Sequence, residues 1–132
     1  IPIGEAAKVR EGSDITIITY GSMVPVVTNA VDKNNVSADV IDLRTIMPYD
    51  GAAILESVKN TGRAIIVHEA PRTLGMGAEI SAFLSERAID YLMSPILRVT
   101  GPDTPFPYRL EDYYIPNEKR VMNAVKKSME FK

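Results

Sequence analysis

The sequence predicts an α/β domain built in three layers, with a sheet between two layers of helices. Four short runs rich in Val and Ile alternate with four helix-like stretches, the pattern of βα repeats around a mainly parallel sheet. Three of the four runs show little polar alternation, as strands buried on both faces do. The chain has 132 residues, 45% hydrophobic and 24% charged, which fits one globular domain with a single core.

The elements follow in order. "EAAKVREG" has room for a short edge strand over 7–10, and "DITIITYG" gives a strand over 15–20 that stops at Gly21. A helix over 23–31 carries Pro25, which is tolerated in a first turn. "ADVIDL" gives a strand over 38–43. Asp50 is placed to cap a helix reaching Asn60, with Ile54, Leu55 and Val58 inward, and Gly62 ends it. "RAIIVHE" gives a strand over 63–69. The spacing predicts a helix over 78–92 with Ile80, Phe83, Leu84, Ala88, Tyr91 and Leu92 as its buried stripe. Pro95 bars its continuation, and "PILRVTG" supplies a strand over 96–100. The last helix starts near Pro116-Asn117 and runs toward Met129, with Val121, Met122, Val125 and Met129 inward. Lys126 and Lys127 suit the negative end of its dipole. The irregular stretch 101–116 holds four of the nine prolines, with Phe106, Tyr108, Tyr113 and Tyr114. A rigid aromatic loop of this length is expected to cover or contact something.

Charge and composition narrow the function. The formal net charge is −2, from 15 basic and 17 acidic residues, and basic side chains cluster no further than pairs such as Lys126-Lys127. Neither nucleic acid nor an acidic membrane is an expected partner. No apolar run approaches the roughly 20 residues a membrane helix needs. With no cysteine and one histidine, disulfides and Cys/His zinc sites are excluded, and a reducing cytoplasm is compatible.

The stretch "AIIVHEAPRTLGMGAE" (64–79) holds the one histidine, His68, beside Glu69, and then Gly75 and Gly77 before a helix. It has the outline of an active site. His68 titrates near neutrality when unperturbed and suits acid or base work, but successive strand side chains face opposite sides, so His68 and Glu69 are not a pair. Ser22 also lies at a strand end, yet no serine sits in G-x-S-x-G, and Ser22 is expected to cap the helix at Met23. Two glycines fall short of a dinucleotide fingerprint, so Gly77 is read as letting its helix pack against the sheet. Asp42 and Arg44 share a strand face, where Arg44 is expected to anchor the Pro48-Tyr49-Asp50 turn rather than bind an anion.

Five ordered motifs carry a resemblance: "VIDLRTIMPYD", "SVKNTGRAIIVHEAP", "GMGAEIS", "RVTGPDTPFPY" and "YYIP". Together they resemble the carboxyl-terminal domain of the beta subunit of thiamine-diphosphate-dependent 2-oxoacid dehydrogenases, in the transketolase-like superfamily. "HEAPRT", "DTPFP" and "YYIP" look more like the branched-chain type than pyruvate dehydrogenase. A transketolase or deoxyxylulose phosphate synthase is the alternative within enzymes, and a free-standing small-ligand binding module the alternative outside them.

The resemblance implies a three-layer α/β/α domain over 1–132 with a five-stranded mixed sheet. Its opening strand is an antiparallel edge, and the order is 7–10, 38–43, 15–20, 63–69, 96–100. The order reverses between the 15–20 and 63–69 strands, where a ligand crevice is expected, lined by Gly21, Ser22, His68 and Glu69. In the family, thiamine diphosphate and its Mg²⁺ are held between the alpha subunit and the other domain of the beta subunit, so no catalytic, cofactor-binding or metal residue transfers to this chain. The implied role is assembly within a longer beta subunit: contacts with the alpha subunit and a second beta subunit in a heterotetramer, and docking of the lipoyl acyltransferase core. Phe106, Tyr108, Tyr113 and Tyr114 are the interface candidates. Some relatives use an acidic docking residue where Met93 stands here. The implied location is the cytoplasm, or the mitochondrial matrix in a eukaryote.

Overall fold

A computed structural model of the protein describes residues 1–131. Its sheet has five strands, β1 (Ala7–Arg10), β2 (Ile15–Thr19), β3 (Ala38–Asp42), β4 (Ala64–Pro71) and β5 (Leu97–Gly101), in the order β1-β3-β2-β4-β5. β1 runs antiparallel to β3, and the other neighbours are parallel. The expected order and the antiparallel edge are both present.

Helices α1 (Met23–Lys33) and α5 (Glu118–Glu130) cover one face, and α2 (Gly51–Thr61) and α3 (Met76–Arg87) the other. Alternation along the central strands divides the core. Ile15 and Ile17 of β2, with Ile65 and Val67 of β4, pack under α1 and α5 beside Val27, Val121 and Val125. Ile18 of β2 and Ile66 of β4 pack under α2 and α3 beside Ile54, Val58, Ile80 and Leu84. All five residues of β2 are buried, Thr16 and Thr19 along with the three isoleucines, as in a strand covered on both faces.

The caps follow from local chemistry. The Asp50 carboxylate accepts from the Ala53 amide at 3.0 Å to start α2, and Gly62 ends it at φ 75°, where a side chain would be strained. Asn117 caps α5 through the Arg120 amide at 2.9 Å.

Three expectations are corrected. The 78–92 helix begins earlier and stops at Arg87, followed by a 3₁₀ turn over Ile89–Tyr91. Ala88 leaves helical geometry at φ −129°, and the Met93 amide donates to Gly62 O at 2.7 Å, drawing the chain back to the sheet. Tyr91 is thereby exposed rather than inward, with the Lys59 ammonium 5.3 Å from its ring centre. In α5 the inward residue near the end is Ser128, bonded to Ser94 Oγ at 2.8 Å, while Met129 turns outward. Finally, the 101–116 stretch is not wholly irregular, because α4 (Glu111–Tyr114) forms within it.

One buried polar network ties the amino ends of the strands together. Ser57 Oγ donates to Asp39 Oδ2 at 2.6 Å, the Gly12 amide donates to Asp39 Oδ1 at 3.0 Å, and Lys8 Nζ lies 3.0 Å from Asp39 Oδ2. Thr16 Oγ1 joins Ser57 at 2.7 Å and Thr61 at 2.8 Å. Burial would raise the Asp39 carboxyl, but the bonds from Ser57, Gly12 and Lys8 outweigh it and hold it below its ordinary 3.8. A carboxyl with a depressed folded value stabilises the fold above its unfolded value, and that contribution is lost as pH falls through the folded one. Asp39→Ala is therefore expected to cost about 3 kcal/mol in urea unfolding at neutral pH, through loss of buried charged hydrogen bonds. The variant's stability should also fall less steeply than wild type below pH 3.8.

Candidate functional site

The order of strands reverses between β2 and β4, the place where open α/β sheets hold ligands beyond the carboxyl ends of their strands. The four crevice candidates sit here, but they are not brought together as a set. Gly21 ends β2 at φ 64°, and a Cβ there would meet nothing within 4 Å. The left-handed turn, not crowding, is what requires glycine.

Ser22 has helical backbone angles (φ −67°, ψ −13°), and its side chain makes no cap bond. Its hydroxyl donates instead to the Glu69 carboxylate. This corrects the capping expectation. An N-cap side chain reaches the next amides from an extended backbone, and here the backbone is already helical while a carboxylate, a stronger acceptor, lies across the crevice. Ser22 makes no bond to His68.

His68 is fully buried. It is a packing element rather than a wall of an open crevice. Its Nδ1 lies 3.1 Å from Ala70 O, a contact that requires a proton on Nδ1 and leaves Nε2 a bare acceptor. Nε2 is buried without a partner. The ring fits against the start of α3. A Cβ at Gly77 would lie 2.7 Å from Nε2, and one at Gly75 would lie 2.9 Å from Cε1 and 2.3 Å from Pro71 O. The two glycines therefore make room for an imidazole, and the imidazole fills that room. Packing of α3 against the sheet is what Gly77 provides, as the sequence reading held.

Burial pushes the His68 imidazole below its ordinary 6.5, opposed by the bond to Ala70 and assisted by the Arg98 charge. Tyr20, whose ring centre is 6.0 Å from that of His68, is pushed up by burial and by the Glu69 charge. Neither shift prepares a base beside a nucleophile. Among the described residues, no group of three or more His, Cys, Asp and Glu side chains is placed to hold a metal ion.

Arg44 does not anchor the following turn. At φ 59° its amide donates to Asp42 Oδ1 at 3.1 Å, and its Nε lies 3.8 Å from Asp42 Oδ2. The turn is held by Asp50, which also accepts from the Ala6 amide at 3.0 Å. Arg44, Asp42 and Gly21, with Ile1, Ile3 and Val24, line an open depression of about 580 Å³.

The aromatic loop divides. Phe106, Tyr108 and Tyr113 are exposed, but Tyr114 is buried. Its ring packs against Gly101, where a Cβ would come within 2.4 Å of Cε1, and against Phe106 at 5.2 Å between ring centres. Tyr114 anchors the loop to β5, so its burial within the domain corrects its place among the interface candidates. Sequence reading missed the clasp in which Asp103 accepts from the Thr73 amide at 2.7 Å and from the Thr73 hydroxyl. Thirty residues separate the pair, and no local pattern marks it.

An α/β/α domain with this strand order, an antiparallel edge and a crevice filled by its own side chains belongs to the transketolase-like class of folds. The family model described as "Transketolase, C-terminal domain" matches residues 4–121, and the chain belongs to that family. It is 48% identical over 98% of its length to the mitochondrial 2-oxoisovalerate dehydrogenase subunit beta of Dictyostelium discoideum, covering 36% of that protein. It is 45% identical over 99% of its length to the pyruvate dehydrogenase E1 component subunit beta of Bacillus subtilis, covering 42% of that protein. The chain thus spans about two fifths of the length of these relatives. A solved split-gene transketolase, an inactive beta4 tetramer, superposes with a TM-score of 0.86 at 26% identity, over 100% of this chain and 43% of that one.

The fit between His68 and the α3 glycines gives a double-mutant test. Gly77→Ala is expected to lower unfolding free energy by about 1–3 kcal/mol through overpacking. His68→Ala should also destabilise, by leaving a cavity, and the double variant should lose less than the sum of the two. The unfolded chain binds the His68 proton more readily than the folded chain does, so wild-type stability should fall as pH drops below 6.5. That slope should be absent from His68→Ala in urea titrations between about pH 6.5 and 5.

Proposed function

We propose that this chain is the assembly and subunit-contact domain of a beta subunit in a 2-oxoacid dehydrogenase, and that the full enzyme decarboxylates branched-chain 2-oxoacids and passes the acyl group to lipoamide. The observation that carries this reading is the 48% identity, over nearly all of the chain, to a 2-oxoisovalerate dehydrogenase beta subunit. A bacterial relative of the same name is 46% identical. The 45% identity to a pyruvate dehydrogenase beta subunit keeps pyruvate as the second substrate reading.

On this reading residues 1–132 form one domain of a longer subunit, and thiamine diphosphate with Mg²⁺ is bound outside it. The residues here do not fit the cofactor. The glycine-lined space at the start of α3 is filled by His68, and no carboxylate cluster stands ready for the metal among the described residues. No step of the chemistry is assigned to Gly21, Ser22, His68 or Glu69. Their role is to close the crevice and fix the strand ends. The same filling weighs against a free-standing small-ligand module.

The partners proposed are an alpha subunit, a second beta subunit and the lipoyl acyltransferase core. Phe106, Tyr108 and Tyr113 are the aromatic contacts offered to them, all exposed. For the core, a depression of about 390 Å³ lined by Ile89, Met93, Pro95 and Phe131 is available. Met93 gives it an apolar rather than an acidic lip. The location proposed is the cytoplasm of a prokaryote or the mitochondrial matrix. Bacterial and mitochondrial relatives both occur, and no helix among the described residues is long and apolar enough to cross a membrane.

The chain alone, given thiamine diphosphate, Mg²⁺ and 3-methyl-2-oxobutanoate, is expected to release no carbon dioxide above background. Joined to the remaining beta sequence and an alpha subunit of a close relative, it should support decarboxylation. Under those conditions His68→Ala should change the yield of assembled enzyme more than its turnover per assembled site. Turnover by the isolated chain, or normal assembly of His68→Ala with no turnover, would overturn the reading.

A further inference from the structure

The chain holds six methionines and no cysteine, so thioethers are its only sulfur. Met23 is buried, while Met47, Met93 and Met129 are exposed. Of the exposed three, Met93 lines the depression of about 390 Å³ proposed for the acyltransferase core, and the other two do not. Met93 is 59% exposed, yet it has little freedom to move. Its amide donates to Gly62 O at 2.7 Å. Ser94 Oγ, next along the chain, is bonded to Ser128 Oγ at 2.8 Å, and Pro95 follows with its fixed φ. The thioether lies on Gly62, where a Cβ would stand 2.8 Å from Sδ. The sulfur cannot retreat on that side, so its reactive face is the one turned away from Gly62.

An exposed thioether is open to oxidation by a peroxide. A sulfur lone pair attacks one peroxide oxygen, the S–O bond forms and the O–O bond breaks. The proton on the transferred oxygen passes to the departing hydroxide, which leaves as water. Sulfur is oxidised by one electron pair, and hydrogen peroxide is reduced by the same pair. The product is a sulfoxide, polar where the thioether was apolar. With Gly62 against the other face, the new oxygen enters the depression. Ile89, Pro95 and Phe131 around it carry no side-chain donor. Held by the hydroxyls of Ser81 or Ser85, which also line the space, the oxygen would occupy it. Left free beneath a partner, it would be buried without a hydrogen bond, at a cost of about 1–3 kcal/mol.

We propose that Met93 is a reversible oxidation site that regulates docking of the acyltransferase core. The thioether admits the core and the sulfoxide excludes it. The inference rests on the docking reading and adds its regulation. Linkage makes the two events oppose each other in both directions: a docked core shields Met93, and an oxidised Met93 weakens docking. Decarboxylation is untouched, because the cofactor is read as bound outside this domain.

The test uses the chain joined to the remaining beta sequence and an alpha subunit, as wild type and Met93→Leu. Each is treated with hydrogen peroxide, mapped by peptide mass spectrometry and titrated with the purified acyltransferase core of the same relative. Leu keeps the volume and the apolar character without the sulfur. Wild type should gain one oxygen at Met93 and bind the core at least about tenfold more weakly, as loss of a central contact does. Methionine sulfoxide reductase should restore binding, and core added before peroxide should protect Met93. Met93→Leu should bind like untreated wild type before and after peroxide, which removes damage elsewhere from the comparison. Unchanged binding by chains oxidised at Met93 would overturn the inference and leave the docking reading standing. An equal loss in peroxide-treated Met93→Leu would also overturn it, by placing the effect at another residue. Untreated wild type that assembles and turns over but binds no core would overturn the docking reading and this inference with it.

Discussion

Strands β2 and β4 lie at the centre of the sheet and are buried on both of their faces. Everything else in the domain answers to that constraint. A strand with two dry faces must have helices on both sides, and short parallel βα connections provide them. Because β2 and β4 are neighbours while the chain between them visits β3, the loops on either side of that junction part. The fold therefore opens a crevice wherever its sequence does not fill one. It also collects the loops after every parallel strand at a single end.

Filling is what this sequence does. His68 continues the buried pattern of β4 one position past Val67, where a larger apolar residue would have no polar tip to meet the Ala70 carbonyl. Its ring needs the volume that side chains at positions 75 and 77 would take. The site thus consists of one imidazole and two missing side chains, fitted so closely that a methyl group is enough to disturb it. The cost is an acceptor, Nε2, left without a donor, and a histidine held neutral by its own burial. A group so enclosed packs the end of the strand against the start of α3. Glu69, on the opposite side of the strand, is exposed but engaged by Ser22.

Much of this was legible in the sequence, and the reasons are local. Ile15, Ile17, Ile65 and Val67 announce doubly buried strands by composition alone. Asp50, Gly62 and Asn117 announce helix ends because capping depends on neighbouring residues. Failures came where distant groups decide. Ser22 was read as a cap because the acceptor that claims its hydroxyl lies 47 residues away. Tyr91 was placed in a buried stripe because helical periodicity was extended through Ala88, where the pull of the Gly62 carbonyl on Met93 ends it. Tyr114 looked like its exposed neighbour Tyr113, and only the open space over Gly101 separates them. The active-site look of the 64–79 stretch was right about position and silent about volume, since a sequence lists glycines without saying what occupies the room they leave.

The edges of an open sheet pose a problem of their own. A five-stranded open sheet has two exposed rows of backbone donors and acceptors, and each invites indiscriminate pairing. This domain occupies carbonyls of one row with arginine side chains and disrupts the other with charge and a bulge. Association that remains must then be made by side chains, which discriminate between partners far better than a bare strand does.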